Sequence, residues 1–456
     1  MYGIPDSFKF NGQTTNSSVS SSMDTIKKDG VAIIGAGLGV GPLSHGTIEC
    51  ATVSQGTALA LALHQKSIPC RIYEGRSADA DILTSGVVLT PNGCRILDDL
   101  GVLSRIKPKS FLFEDSITKN SEDKTVDTMK LASKEVYGYP AYRLYRLALL
   151  QEMKQMLAER GVPIYFDAKF EKIISDSPEG VTFLAGGKAE KAAVVVGSDG
   201  IHSTLRRYLT DLVPVYTGVF CVYGHIPTNS VKWPDKEFFA SSCTIQGKPG
   251  GLFMVPEESD GRTLMVGTQF PHPEQGREGW QDLAASPDSL ASLMRKDYDQ
   301  WHDTARRIID QLCKCPEGLL SWPFYTMPRL PSWASPSGNV IIVGDAAHAM
   351  PASSGQGVNQ ALEDVYSLAK VLSRSWTVEE RPLALGAWQS WRQAKIDKVL
   401  QMTRATNLKR SPEAERQKST NAVDVEKPAV DRMRWLFELG LDDLEAKLAD
   451  VDRHDA

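Results

Sequence analysis

The chain has 456 residues, 42% hydrophobic and 23% charged, an ordinary globular composition with length for two or three domains and a sizeable core. A formal net charge of -5 argues against nucleic acid or an anionic membrane as the main partner. No run of about 18 apolar residues marks a membrane span, and seven scattered cysteines, of which only Cys313 and Cys315 are close, suit reduced thiols in a soluble cytoplasmic protein and make a poor metal site.

Residues 1–29 are rich in Ser, Thr and Asn with no apolar core, and are expected to be a disordered tail, neither signal peptide nor helix. Residues 30–34 read as a buried strand that runs into Gly35-Ala36-Gly37-Leu38-Gly39. Residues 56–66 carry small and apolar side chains throughout, as a helix beneath a sheet does. Residues 70–74 form a second strand ending on Glu74. This is a β-α-β unit of the dinucleotide-binding type, but two features are wrong. The third glycine of Gly-x-Gly-x-x-Gly falls on Val40, and Glu74 lies 39 positions after Gly35 where roughly 20 are expected. Removing residues 40–55 makes Gly56 the third glycine and brings the separation to 23. Valine codons begin GT and one glutamine codon ends AG, the usual borders of an intron. The segment therefore reads as an in-frame intron carried into the translated chain; the alternative is a genuine loop insertion.

Further along, residues 141–160 have helical spacing, and residues 162–166 and 181–184 look like strands. An apolar strand then ends in Gly197-Ser198-Asp199-Gly200, with Ser203 and Arg206 on the next turn, where Asp199 can face a pyrophosphate or a nicotinamide dinucleotide. Residues 215–330 change to alternating strands, the pattern of a separate, largely antiparallel sheet. Tyr223 and His225 lie two apart on one of these strands and so share a face, where they are candidates to act on a substrate hydroxyl. The aromatic, Pro-rich stretch 322–331 suits core packing, with lining of the substrate pocket as the alternative. Residues 338–345 return to the buried parallel style and end on Asp345. The loop 351–359, with Gly355, Gly357 and Val358, opens a helix over 356–373 whose positive end suits negative charge on a flat heterocycle. Residues 386–408 are helical, 410–427 are polar and expected to be mobile, and 432–451 suit an amphipathic terminal helix.

These three motifs, in this order, resemble the class A flavoprotein monooxygenases, the group of salicylate hydroxylase and p-hydroxybenzoate hydroxylase. The resemblance covers about residues 30–405. It extends to the segment from Gly86 to Gly93 and to Tyr145-Arg146, where Tyr145 replaces the family's usual His. It implies an α/β fold: a Rossmann-like FAD-binding domain (30–210 and 333–408) with an inserted, mainly antiparallel substrate-binding sheet (211–332), followed by a charged tail with a helix (409–456). It implies that Glu74 binds the adenosine ribose, Arg146 the pyrophosphate side and Asp345 the ribityl chain. Gly355, Gly357 and Val358 would lie against the isoalloxazine. The implied activity uses FAD, NAD(P)H and O2 to deliver an electrophilic oxygen to an aromatic or polycyclic small molecule, by hydroxylation or epoxidation, in secondary metabolism. The family's aromatic-Arg-Gly on the first substrate strand reads Val222-Tyr223-Gly224 here, so its usual carboxylate clamp is missing. The rival readings are a flavin-dependent halogenase, whose W-x-W-x-I-P signature is absent, and a chain left without flavin by residues 40–55.

Overall fold

The computed structural model describes residues 22–36, 42–43, 47–48, 55–79, 86–418 and 433–453. Its centre is a five-stranded parallel sheet in the order Ile164–Tyr165, Cys70–Tyr73, Val31–Ile34, Val194–Gly197, Val340–Ile342. Strands from both ends of the chain meet here, because Val194–Gly197 pairs with Val31–Ile34 on one edge and Val340–Ile342 on the other. All four residues of Val31–Ile34 are buried, as a parallel strand covered on both faces requires. The helices Gln55–Gln65, Arg146–Glu159 and Gly357–Leu372 share its hydrophobic core.

A nine-stranded sheet stands beside it. The long strand Val215–Pro227 lies between Leu320–Thr326 and Thr263–Pro271, and the sheet continues through Gly251–Pro256 and Ser242–Gln246 to Asp115–Lys119 and Thr125–Lys130. Pairing is antiparallel except at the flanks, where Ser242–Gln246 meets Asp115–Lys119 and Ser321 meets Thr47 in parallel. Residues 115–130, expected with the cofactor-binding unit, therefore belong to the large sheet. Their Thr- and Lys-rich pattern carries no signal of which sheet they join. Along Val215–Pro227 the side chains alternate. Phe220, Val222 and Ile226 enter a core with the helices Pro287–Met294 and Asp303–Leu312, while Cys221 and Tyr223 face the other way, toward Phe324 and Trp322.

Four expectations are corrected. Residues 22–29, read as disordered and non-helical, form the helix Ser22–Asp29, because Ile26 is buried at 1% exposure; one apolar residue is too sparse a signal to read from the sequence. The helix expected over 141–160 starts only at Arg146, since Ala141–Tyr145 is claimed on both edges by Gly86–Leu89 and Phe111–Phe113. The terminal helix is broken at Gly440, φ 64°, into Arg434–Phe437 and Leu441–Arg453. Residues 410–418, expected to be mobile, are docked on the large sheet: the Glu413 amide donates to Lys248 O and Arg416 to Gly247 O. Residues 419–432 lie outside the described residues.

One buried polar network ties the second half of the parallel layer together. Asp364 accepts from Gly344 N–H (2.8 Å), His348 Nε2 (2.6 Å) and Arg392 Nε (2.7 Å). Arg392, on the long helix Glu380–Lys409, also reaches Glu363 (2.6 Å), which takes Lys395 (2.9 Å) and Asn92 (2.6 Å) as well. Burial alone would raise the Asp364 carboxyl pKa, but His348 and Arg392 outweigh it and hold it below its ordinary value. Arg392→Ala would leave two buried carboxylates short of their cation. It should destabilise the protein by about 3–5 kcal/mol in urea denaturation, well above a typical core substitution.

Candidate functional site

The carboxyl ends of the parallel strands converge on one edge, where open α/β sheets bind ligands. Gly35 follows the first strand at φ 92°, and a Cβ there would lie 2.8 Å from Ser198 O. Gly56, at the start of the helix Gln55–Gln65, approaches so closely that a Cβ would lie 1.9 Å from Gly35 O. The helix packs on the strand end as the third glycine of the motif does, although twenty residues separate the two glycines. Gly37 lies outside the described residues. Glu74 accepts from Ala36 N–H (2.9 Å) and Arg76 N–H (3.1 Å), so its carboxylate is fixed at the mouth of this turn. Gln55 is buried at the same helix start. A Cβ on Gly344 would meet its Oε1 at 2.1 Å, and that oxygen has no hydrogen-bond partner among the described residues.

The second motif is used within the protein. Asp199 Oδ2 accepts from Thr204 N–H (2.8 Å) and Leu205 N–H (3.1 Å), which caps the following turn. Arg206, expected to face a ligand, donates instead to Ala346 O (3.0 Å) and Ile201 O (2.6 Å), stitching the second motif to the third.

The third motif opens onto a cavity of about 210 Å³. On one side stand Gly86, Arg146, Asp345, Gly355, Gly357 and Val358; on the other, Cys221, Tyr223, Phe253, Met265, Trp322 and Phe324. Six predicted cofactor residues and one predicted catalytic residue thus share a single space, while Gly35, Gly56, Glu74 and Asp199 lie away from its lining. Trp322 and Phe324 line the cavity, Phe324 from within a buried cluster with Cys221 and Tyr223, while Met327 and Leu330 of the same stretch pack in the main core. Gly355 takes a left-handed φ of 63°, and a Cβ on Gly357 would find nothing within 4 Å. Asp345 is pushed up to about 6, by burial first; His348 and Arg146 oppose the shift and Asp364 adds to it.

His225 shares a face with Tyr223 but stands outside the cavity lining. Its Nε2 is 3.5 Å from Glu257 Oε1. Glu257 is fully buried and takes Arg143 at 3.0 and 2.5 Å and the Gly86 amide at 3.2 Å. Burial would raise the Glu257 pKa; Arg143 and His225 overcome this and lower it. A Cβ on Gly86 would lie 2.0 Å from Glu257 Oε2, so glycine is what lets this carboxylate reach the backbone. Tyr145, 6.3 Å from the His225 ring between centroids, is raised to about 12 by burial and by Glu257 and Glu258. Arg143 and Glu257 carry no motif. Their signal is a charge in the middle of one strand and another just past the end of a second, which makes sense only once those strands are seen side by side.

The family described as FAD binding domain matches residues 53–305 and 333–403. The chain belongs to this family. The match begins within the last three residues of the irregular segment and takes in both later motifs. A 3-amino-4-hydroxybenzoate 2-monooxygenase from Streptomyces platensis is 26% identical over 84% of this chain and 93% of its own length. A 6-methylsalicylate 1-monooxygenase from Aspergillus terreus is 28% identical over 82% and 81%. Among solved structures, a salicylate hydroxylase substrate complex superposes with a TM-score of 0.70 at 19% identity, covering 92% of this chain and 97% of that one. Klebsiella pneumoniae HpxO with FAD and uric acid gives 0.67 at 18%, covering 92% and 96%. The protein is a class A FAD-dependent monooxygenase with the fold of that group. No described helix of this flavoprotein is long and apolar enough to cross a membrane.

The Asp345 shift has a defined sign. Its folded-state value stands above the ordinary 3.8, so between about pH 4 and pH 6 the native protein holds this proton more tightly than the unfolded chain. The residue therefore costs stability as pH rises through that window. In flavin-free protein, Asp345→Asn should raise stability above pH 6 by up to about 3 kcal/mol, a gain that fades toward pH 4. Urea melts across pH measure it, and a pH-independent difference would refute the assignment.

Proposed function

We propose that this monooxygenase uses NAD(P)H and O2 to hydroxylate or epoxidise an aromatic or polycyclic small molecule in secondary metabolism. The observation that carries the reading is the single cavity between the glycine-rich loop and the apolar face of the large sheet. The named relatives are monooxygenases of substituted benzoates, and none is a halogenase. The residues present fit FAD. Gly357 offers open space where a flat ring needs it, Gly355 bends the loop away, and a hydroxyl donated to Asp345 would relieve a buried carboxylate. FAD, when bound, supplies the redox chemistry that activates O2.

What the chain's own residues do follows from their placement. Glu74 would hold the adenosine ribose at the Gly35–Gly56 turn, Arg146 the pyrophosphate side, and Asp345 the ribityl chain. Gly355, Gly357 and Val358 would lie against the ring, with Gly86 opposite. The start of the helix Gly357–Leu372 directs its N–H groups and positive end toward charge at that ring. Phe253, Met265, Trp322 and Phe324 form walls that exclude water and sandwich an apolar ring. Tyr223 presents a hydroxyl among them and can donate to, or accept from, a phenolic substrate. His225 acts at one remove, through Glu257 and Arg143, which hold the sheet against the strand carrying Gly86.

Gly357→Val should change the stability of flavin-free protein by less than about 0.5 kcal/mol, because its Cβ finds open space. It should weaken FAD binding by tenfold or more, roughly 1.4 kcal/mol, by filling the ring's place. Tyr223→Phe should leave flavin content intact and reduce substrate turnover on the order of 100-fold, as for loss of one acid-base group. The status of residues 40–55 is tested by purifying the chain with and without them and reading flavin's visible absorbance. The buried, unsatisfied Gln55 oxygen at the phosphate turn favours better loading without the segment. Equal loading would identify a genuine insertion; no flavin in either form would overturn the functional reading.

A further inference from the structure

The sequence lacks an arginine on the first substrate strand, yet one reaches the cavity from elsewhere. Arg410 follows the C-terminus of the 30-residue helix Glu380–Lys409 and lines the cavity together with Cys221, Tyr223, Phe253, Met402 and Thr406. Its backbone is locked to the large sheet: the Gly251 amide donates to Arg410 O at 2.9 Å. The fit is close. A Cβ on Gly251 would lie 3.0 Å from both Cα and Cγ of Arg410, and one on Gly250 would lie 3.0 Å from Arg410 O. The neighbours complete the clasp, with Gln246 donating to Lys409 O (2.9 Å), Gln269 to Asn407 O (3.3 Å) and Lys409 pairing with Asp127 (2.7 Å).

The guanidinium differs from its neighbours Lys409 and Arg416, which are paired or hydrogen-bonded within the protein. It lies 4.9 Å from the Phe253 ring centroid, a cation–π contact. No ion pair and no side-chain hydrogen bond satisfies it among the described residues. The group nearest in charge is Cys221, whose thiol burial raises to about 12, so it is neutral at physiological pH. Burial also draws Arg410 down to about 10, which still leaves it a cation. A half-buried guanidinium at the cavity wall, with five donors and no protein acceptor among the described residues, is open to an incoming anion. A carboxylate entering the cavity would meet those donors in matching planar geometry. Phe253 beneath the guanidinium crosses Gly267 toward Tyr223: a Cβ on Gly267 would touch Phe253 Cζ at 2.7 Å and Tyr223 Cβ at 2.6 Å. An aromatic acid held by Arg410 would thus have its ring over Phe253 and its far side near Tyr223.

We propose that Arg410 is the substrate's anion anchor and that the enzyme takes an aromatic carboxylic acid. The assignment rests on the monooxygenase reading above and narrows it to a substrate class. Arg410 belongs to the large sheet's side of the cavity, whereas Arg146 stands beside Asp345 on the other, so a carboxylate on the substrate is favoured over a phosphate of either nucleotide.

The test uses the full-length flavoprotein, calorimetric titration, and 2-, 3- and 4-hydroxybenzoate and 3-amino-4-hydroxybenzoate, each paired with its methyl ester. At least one acid should bind ten times or more tighter than its ester. Arg410→Gln should raise the Kd of that acid by 30-fold or more, leave the ester's Kd within twofold and leave flavin content unchanged. Arg410→Lys should recover part of the loss, which a fold defect would not. Acids and esters binding alike, no acid binding, or equal losses for acid and ester in Arg410→Gln would each overturn the anchor. Loss of flavin or a raised KM for NADPH alone would reassign Arg410 to a nucleotide. Flavin content and NADPH-dependent O2 uptake of the unmodified enzyme report separately on the monooxygenase reading. The calorimetric signal does not depend on them, so a failure of either can be told from a failure of the other.

Discussion

Asp364 is buried completely and accepts from three donors that belong to three different parts of the chain. The Gly344 amide ends the last parallel strand, His348 lies in the turn after it, and Arg392 comes from the long helix beyond. A buried ionised carboxylate tolerates little displacement, because losing any one donor exposes it to the full cost of desolvation. Asp364 thereby fixes where Asp345 stands and how the helix Gly357–Leu372 begins. The loop between them, with Gly355 and Gly357, has little freedom left. The floor of the cavity is therefore set by electrostatics beneath it, among residues outside its lining.

A second buried carboxylate does the same for the other wall. Glu257 closes the strand Gly251–Pro256 of the large sheet, and its partners Arg143 and Gly86 lie on the small three-stranded sheet behind the cofactor site. The pair joins two sheets that share no backbone ladder. Gly86 contributes by having no side chain, since any Cβ would occupy the carboxylate's place. The cavity lies between these two anchors, so the distance from one wall to the other depends on charges that neither wall displays. His225, a candidate for chemistry on pattern alone, is part of this joint.

The irregular first motif looks different in three dimensions. As a string, Gly35 to Gly39 followed by Val40 is a broken fingerprint. In the fold, Gly56 closes against Gly35 O with no room for a methyl group, and Glu74 reaches the Ala36 amide. The working parts of the motif are in contact although twenty residues separate the two glycines. Gln55 does not settle, crowding Gly344 with an oxygen unsatisfied among the described residues. This is the behaviour expected of a residue foreign to the site.

By its own pattern, the sequence determined the parallel layer, the order of its three glycine-and-acid turns, and the residues at their tips. Those are local properties: an apolar run ends, a glycine turns, a carboxylate follows, and each can be read within ten residues. The alternation that puts Tyr223 on the cavity side is local too. Tertiary structure alone decided the rest, because the deciding partners lie far apart in the chain. Arg143 with Glu257, Arg392 with Asp364, and Arg410 against Gly251 are separated by between 28 and 159 positions, and no periodicity connects them. A charged residue in a polar tail, such as Arg410, reads as solvated until the sheet it packs against is built. Ala141–Tyr145 reads as helix until two strands claim its edges. Short-range pattern specifies elements and turns, while the burial of a charge, and hence its function, is a property of what surrounds it.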